Sequence, residues 1–198
     1  MTNRAQFRLA ASAAAALLVI TLAAATSIDS LSPRAREPGK PGHIFILLLE
    51  NESYPRTFSP TSLAPYLAHE LPAKGALLRN YYGIGHNSLD NYIALVSGQA
   101  PNEDTQRDCT KFVEFKLEQP KLDENGQAIG RGCVYPTIVP MLGDQLESAG
   151  KSWRGYMQDL GNDKKKAVEE CGHPPIGQRD PTLDRTPRDQ YATKHNPF

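Results

Sequence analysis

Apolar residues recur at two different spacings along this 198-residue chain, and the changes of spacing mark its elements. Positions 43–49, HIFILLL, form an unbroken apolar run ended by Glu50 and Asn51. A run apolar on both faces predicts a central strand of a parallel sheet. Leu63, Tyr66, Leu67 and Leu71 then fall at helical spacing with Gly75 as a stop, so 63–74 predicts a helix, and 76–82 predicts a second strand. Leu89, Tyr92, Ile93 and Val96 stand at i, i+3, i+4 and i+7, one buried face of a short helix. Another helix is expected over 137–148, closed by Gly150, and another strand over 152–157. Strand, helix, strand in this order is the signature of an α/β fold with right-handed crossovers. In such a sheet ligands bind beyond the carboxyl ends of the strands, so Glu50 and Asn51 would meet the polar cluster His86 to Asn91 at one rim.

That cluster is where chemistry enters. His86, Asn87 and Ser88 stand immediately ahead of the Leu89 helix, with Asp90 and Asn91 in its first turn. A helix start presents unpaired N–H groups and favours an anion. If the anion is a phosphoryl group, the Ser88 hydroxyl is placed to attack it while the helix start, Asn91 and a cation stabilise the developing charge. The competing reading is structural: serine is also a favoured N-cap, whose oxygen would accept the N–H of Asn91.

Composition narrows the setting. Lys plus Arg and Asp plus Glu both number 22, so no basic field draws the chain to nucleic acid. Arg4 and Arg8 precede an uncharged Ala- and Leu-rich run over 9–25 and then small residues, which predicts that 1–30 is a signal peptide or an N-terminal membrane anchor. Residues 31–42, with Pro33, Pro38 and Pro41, read as a linker, and the body over 43–198 is expected to be secreted, periplasmic or held at the cell envelope. Export permits disulfides. Of the three cysteines, Cys109 and Cys133 flank a polar, strand-poor segment and are the expected pair, leaving Cys171 over. Zinc is disfavoured because no CxxC pair is present. His43, His69 and His173 are expected to be structural or solvated. Lys164 to Lys166, beside Glu169 and Glu170, predict a surface face, while Trp153, Tyr81 and Tyr82 predict packing.

With these motifs in order, the chain resembles the bacterial phosphoesterase family of secreted acid phosphatases and phospholipases C, within the alkaline-phosphatase-like superfamily. The resemblance is carried by HIFILLLENESY (43–54), NYYGIGHNSLDNYIALVSGQAP (80–101), DC (108–109), GCVYP (132–136) and KHNPF (194–198). It implies an α/β, three-layer parallel-sheet core and hydrolysis of phosphate esters, on a phosphorylated small molecule or a lipid substrate. It implies Ser88 as nucleophile and Asn91 as the holder of a phosphate oxygen, with His86 and His195 as catalytic histidines near the phosphate that protonate the leaving oxygen or bind phosphate. Glu50 and Asn51 match family ligands of a divalent metal ion, and their oxygens suit Mg²⁺ or Ca²⁺. Asp90 departs from a proline common in the family. Two ligands are too few for such an ion, and Asp180, Asp184 and Asp189 lack the context of the family's later carboxylates. The expectation is therefore that 43–198 is the N-terminal part of a phosphoesterase domain with a truncated core, acid-phosphatase-like in activity, with a phospholipase C-type phosphodiesterase or a non-catalytic remnant that only binds phosphate as the alternatives.

Overall fold

A computed structural model describes residues 39, 41–162, 172–183 and 186–198; the expected leader, most of the linker, the lysine run and Cys171 lie outside them. The chain divides into two units, Met1–Ala64 and Pro65–Phe198.

In the first unit, the expected central strand over 43–49 has no regular hydrogen-bonded structure. Ile44, Phe45, Leu47 and Leu49 are exposed. A strand exists only where a neighbour pairs its N–H and C=O groups, and none of the described residues does so here. Helix α1, Tyr54–Thr57, is a single turn beginning at a proline-favoured start. Tyr54 and Phe58 stack across it with ring centroids 4.9 Å apart, and Arg56 pairs with Glu52 at 3.2 Å in solvent.

The second unit opens with a π-helical turn, Tyr66–Glu70, running into α2, Leu71–Lys74. This is the expected helix, shortened at its start. Pro72 has no N–H to give to Ala68, and the wider turn before it, closed by Leu71 N–H to the Tyr66 carbonyl, takes up that loss. Gly75 follows as the C-cap. Residues 76–82 form no strand, and Tyr81 and Tyr82 are exposed rather than packed.

Helix α3, Leu89–Ser97, forms where the spacing places it, and Gly98 stops it with φ 70°, a conformation glycine adopts without a steric cost. Its Leu89 and Ile93 make the core with Cys109 and Cys133, under Phe112, Val113 and Tyr135. Those cysteines form the expected disulfide, which closes the polar insertion against the helix. Inside the insertion β1, Lys116–Leu117, pairs antiparallel with β2, Gly130–Arg131. Gly132, at φ 141°, is needed beside this ribbon, since a β-carbon there would run into the Phe115 backbone. This two-stranded ribbon is the only sheet among the described residues. Helices and strands are mixed, but the three-layer parallel core that the resemblance implies is not formed by the described residues.

Helix α4, Leu142–Ser148, starts later than expected because Pro140 and the extended Met141 precede it. Asp144 accepts the Met141 N–H at 2.9 Å and closes that end. Residues 152–157 form no strand. Trp153 instead packs: its ring lies 4.8 Å from that of Phe198, its Nε1 donates to Glu147 at 3.0 Å, and Gly143 leaves room for the indole. Among the described residues no helix is long and apolar enough to cross a membrane.

Candidate active site

The start of α3 leaves one hydroxyl out of its cap. Ser88 makes no side-chain capping bond to the helix; its Oγ lies 3.1 Å from Nε2 of His195, 107 residues along the chain. The cap is supplied from elsewhere. Asp108 Oδ1 accepts the N–H groups of Ser88 at 2.9 Å and Leu89 at 3.0 Å. A borrowed carboxylate thus satisfies the helix start and complements its dipole, and the serine hydroxyl is left for other work.

Asp108 reaches this position through a turn. The 3₁₀ segment Thr105–Arg107 ends in two consecutive non-glycine residues with positive φ, Asp108 at 55° and Cys109 at 46°. Asp108 N–H donates to Thr105 O and Cys109 N–H to Asp104 O, both at 3.0 Å. The other carboxylate oxygen accepts Lys194 Nζ at 2.9 Å in a pair whose side chains are mostly buried. Burial pushes the Asp108 carboxyl up, but the bonds from Leu89, Lys194 and Ser88 outweigh it and hold the group below its ordinary range.

His195 comes from a segment anchored by a buried polar network. Asp180 accepts Thr182 N–H at 2.8 Å and its hydroxyl at 2.7 Å. Thr182 Oγ1 accepts Thr193 N–H at 2.8 Å, Tyr191 OH donates to Gly172 O at 2.5 Å, and Asn196 donates to Tyr191 OH at 3.1 Å. Thr193 and Asn196 flank Lys194 and His195, so both neighbours of the imidazole are tied down. The ring also rests on Tyr92 of α3, centroids 5.5 Å apart. Sequence reasoning missed this network; Asp-Pro-Thr at 180–182 is a turn signature that carried the clue.

The other expected site residues differ in placement. Asn91 faces the 84–87 loop: its Oδ1 accepts Ile84 N–H at 2.8 Å, and its Nδ2 reaches Asn87 O at 2.6 Å, Asp90 Oδ1 at 3.0 Å and Gly85 O at 3.1 Å. Three acceptors for two hydrogens make it a brace of the loop before Ser88. His86 is exposed and has no hydrogen-bond partner among the described residues. Asp90 is buried against Gly85 with Oδ2 unpartnered. Burial, with the charge of Asp108, raises its carboxyl above the ordinary range despite hydrogen bonds from Asn91. His173 is stacked on Phe112 and bonded to Phe198 O at 2.6 Å, a structural role as expected; burial holds its imidazole below the usual range.

Glu50 and Asn51 belong to the first unit, where both are exposed and Asn51 adopts φ 75°. They present two oxygen donors. Among the described residues no group of three or more His, Cys, Asp or Glu side chains converges as a metal site. A hard divalent ion takes six or more oxygen ligands, so these two fit as part of a coordination shell and do not complete one.

A hydroxyl within hydrogen-bond reach of an imidazole, at a helix start, is an arrangement that nucleophilic chemistry can use. Residues 57–198 match the Phosphoesterase family, and the chain belongs to it. It is thereby of a class that hydrolyses phosphate esters. The match begins after Glu50 and Asn51. Neither the curated proteins nor the solved structures contain a match.

Proposed function

We propose that the chain is an exported phosphoesterase of acid-phosphatase type, with Ser88 as nucleophile and His195 as proton carrier. The observation that carries this reading is the 3.1 Å approach of Ser88 Oγ to His195 Nε2. The hydroxyl proton passes to Nε2 as the Oγ–P bond forms, and the imidazolium returns it to the leaving oxygen as that P–O bond breaks. Water then attacks the phosphoserine with His195 taking its proton, orthophosphate departs and Ser88 regains its hydrogen. Asn91 keeps the loop before Ser88 in place, bonded to Ile84 N–H and Asn87 O. Glu50 and Asn51 are the two oxygen donors that would hold a divalent ion, which would supply Lewis-acid chemistry when bound. Export rests on the pattern over 1–30 and agrees with the Cys109–Cys133 bond.

A phospholipase C-type phosphodiesterase is the second reading. What favours it is an apolar cavity of about 930 Å³ lined by Leu89, Ile93, Val96, Phe112 and Phe198, which Asp108 and Lys194 also border. An acyl-bearing leaving group suits such walls.

The test is hydrolysis of p-nitrophenyl phosphate and p-nitrophenylphosphorylcholine by the full chain with added Mg²⁺ or Ca²⁺ and with chelator. Ser88→Ala is expected to lower turnover by on the order of 10³-fold or more, with stability changed by about 1 kcal/mol or less. Retained turnover in Ser88→Ala overturns the nucleophile, and faster cleavage of the choline diester selects the second reading.

A further inference from the structure

One side chain is bonded both to Ser88 and to the residue before His195, without touching either reacting atom. Asp108 Oδ1 holds the backbone N–H of Ser88, and Oδ2 holds the ammonium of Lys194, the residue before His195. We propose that Asp108 is a positioning residue: its carboxylate is a strap that sets the register between the start of α3 and the 193–196 segment, and so the distance from Ser88 Oγ to His195 Nε2. The inference rests on the reading of Ser88 and His195 given above.

Three observations support it. The strap joins positions 86 residues apart and is the only ion pair among the described residues with both side chains mostly buried. The backbone holds Asp108 and Cys109 in a left-handed conformation that ordinary residues avoid, and such outliers persist only where surrounding structure enforces them. Here that structure is the Cys109–Cys133 bond and the two turn hydrogen bonds beneath it. Finally, Ser88 gives up the cap that its own side chain would ordinarily supply, because Asp108 takes that task from outside the helix. The turn therefore aims one carboxylate at two targets, and both targets adjoin the reacting groups.

Substitutions separate the two arms of the strap. Asp108→Asn keeps one oxygen for the Ser88 and Leu89 N–H groups but turns an NH₂ toward the Lys194 ammonium, donor against donor. Lys194→Met leaves the cap untouched and removes only the far arm. The double variant Asp108→Asn with Lys194→Gln rebuilds the strap as a neutral amide pair.

The experiment follows the His195 Nε2 resonance by ¹⁵N NMR in the full chain, beside kcat and KM for p-nitrophenyl phosphate, with the Trp153 Nε1–H resonance reporting that the fold is kept. Ser88→Ala is expected to move the His195 signal by removing its partner. Asp108→Asn and Lys194→Met are expected to move it the same way and to lower kcat by about 10- to 100-fold with KM within about 2-fold, as loss of alignment does. The Asn/Gln pair is expected to return both readings toward wild type. A His195 signal unmoved by Lys194→Met in a folded chain overturns the strap whatever the turnover shows. A signal that responds to Asp108 while Ser88→Ala keeps full turnover overturns the nucleophile reading and leaves the positioning geometry standing.

Discussion

Residues 43–51 and 83–97 carry the same kind of signal, an apolar stretch joined to a short polar cluster, and they end in different physical states. In 83–97 the apolar residues lie on one helical face, and Leu89, Ile93 and Val96 are buried. Its polar residues are held by groups from 108 and 195, far along the chain. In 43–51 the apolar residues have no ladder partner among the described residues and are exposed, and Glu50 and Asn51 are exposed with them. A helix satisfies its own backbone and needs cover on one side only. A strand satisfies none of its backbone alone and needs cover on both faces when it is apolar on both. Local pattern is therefore sufficient for the helix and insufficient for the strand.

The comparison is broken most strongly by cutting the second region's cross-link. Reducing Cys109–Cys133, or replacing both with serine, is expected to destabilise the Pro65–Phe198 unit by about 3 kcal/mol, read as a lower urea midpoint of Trp153 fluorescence. An unchanged midpoint means that packing alone holds the insertion on α3.

The next effect uses two carboxylates near the start of α3 whose pKa values are shifted in opposite directions. Asp108 is held below its ordinary range, so its contribution to stability is complete above the unfolded value and is lost as pH falls through the folded one. Asp90 is raised, so the folded state favours its neutral form below the unfolded value, and this advantage is lost as pH rises through the folded one. Urea midpoints between pH 3 and 7 are expected to fall less steeply toward acid in Asp108→Asn, whereas Asp90→Asn is expected to gain relative to wild type as pH rises. Parallel pH profiles for the two variants contradict the assigned environments.

The smallest effect belongs to the first region. Ile46→Lys and Leu47→Lys replace exposed side chains and are expected to change the Trp153 unfolding midpoint by no more than the equivalent of about 0.5 kcal/mol. A loss of 2 kcal/mol or more shows that the run is covered in solution.

Much of the site was legible where the relevant forces are local. The i, i+3, i+4, i+7 spacing marked α3, Gly150 falls where a helix end needs it, and the two cysteines around a polar insertion paired as their positions indicated. Ser88 remained ambiguous because a cap and a nucleophile ask for the same residue at the same place. Asp108 and Lys194 were visible only as parts of DC and KHNPF motifs, since nothing in either stretch says that one carboxylate bridges them. Asn91 shows the same limit: its position was evident, and its engagement with the 84–87 loop was not.

By itself the sequence determined the helix with its apolar face, the cysteines that close the insertion, and membership of the Phosphoesterase family through motifs in a recognisable order. Only the tertiary structure decided that Ser88 is relieved of capping by Asp108, that Lys194 and a buried threonine network bring His195 to its hydroxyl, and that 43–49 lacks a strand partner among the described residues. The reason is range: a side chain's spacing along a helix acts over a few residues, whereas a carboxylate's choice of donors depends on which distant segments the folded backbone brings within 3 Å.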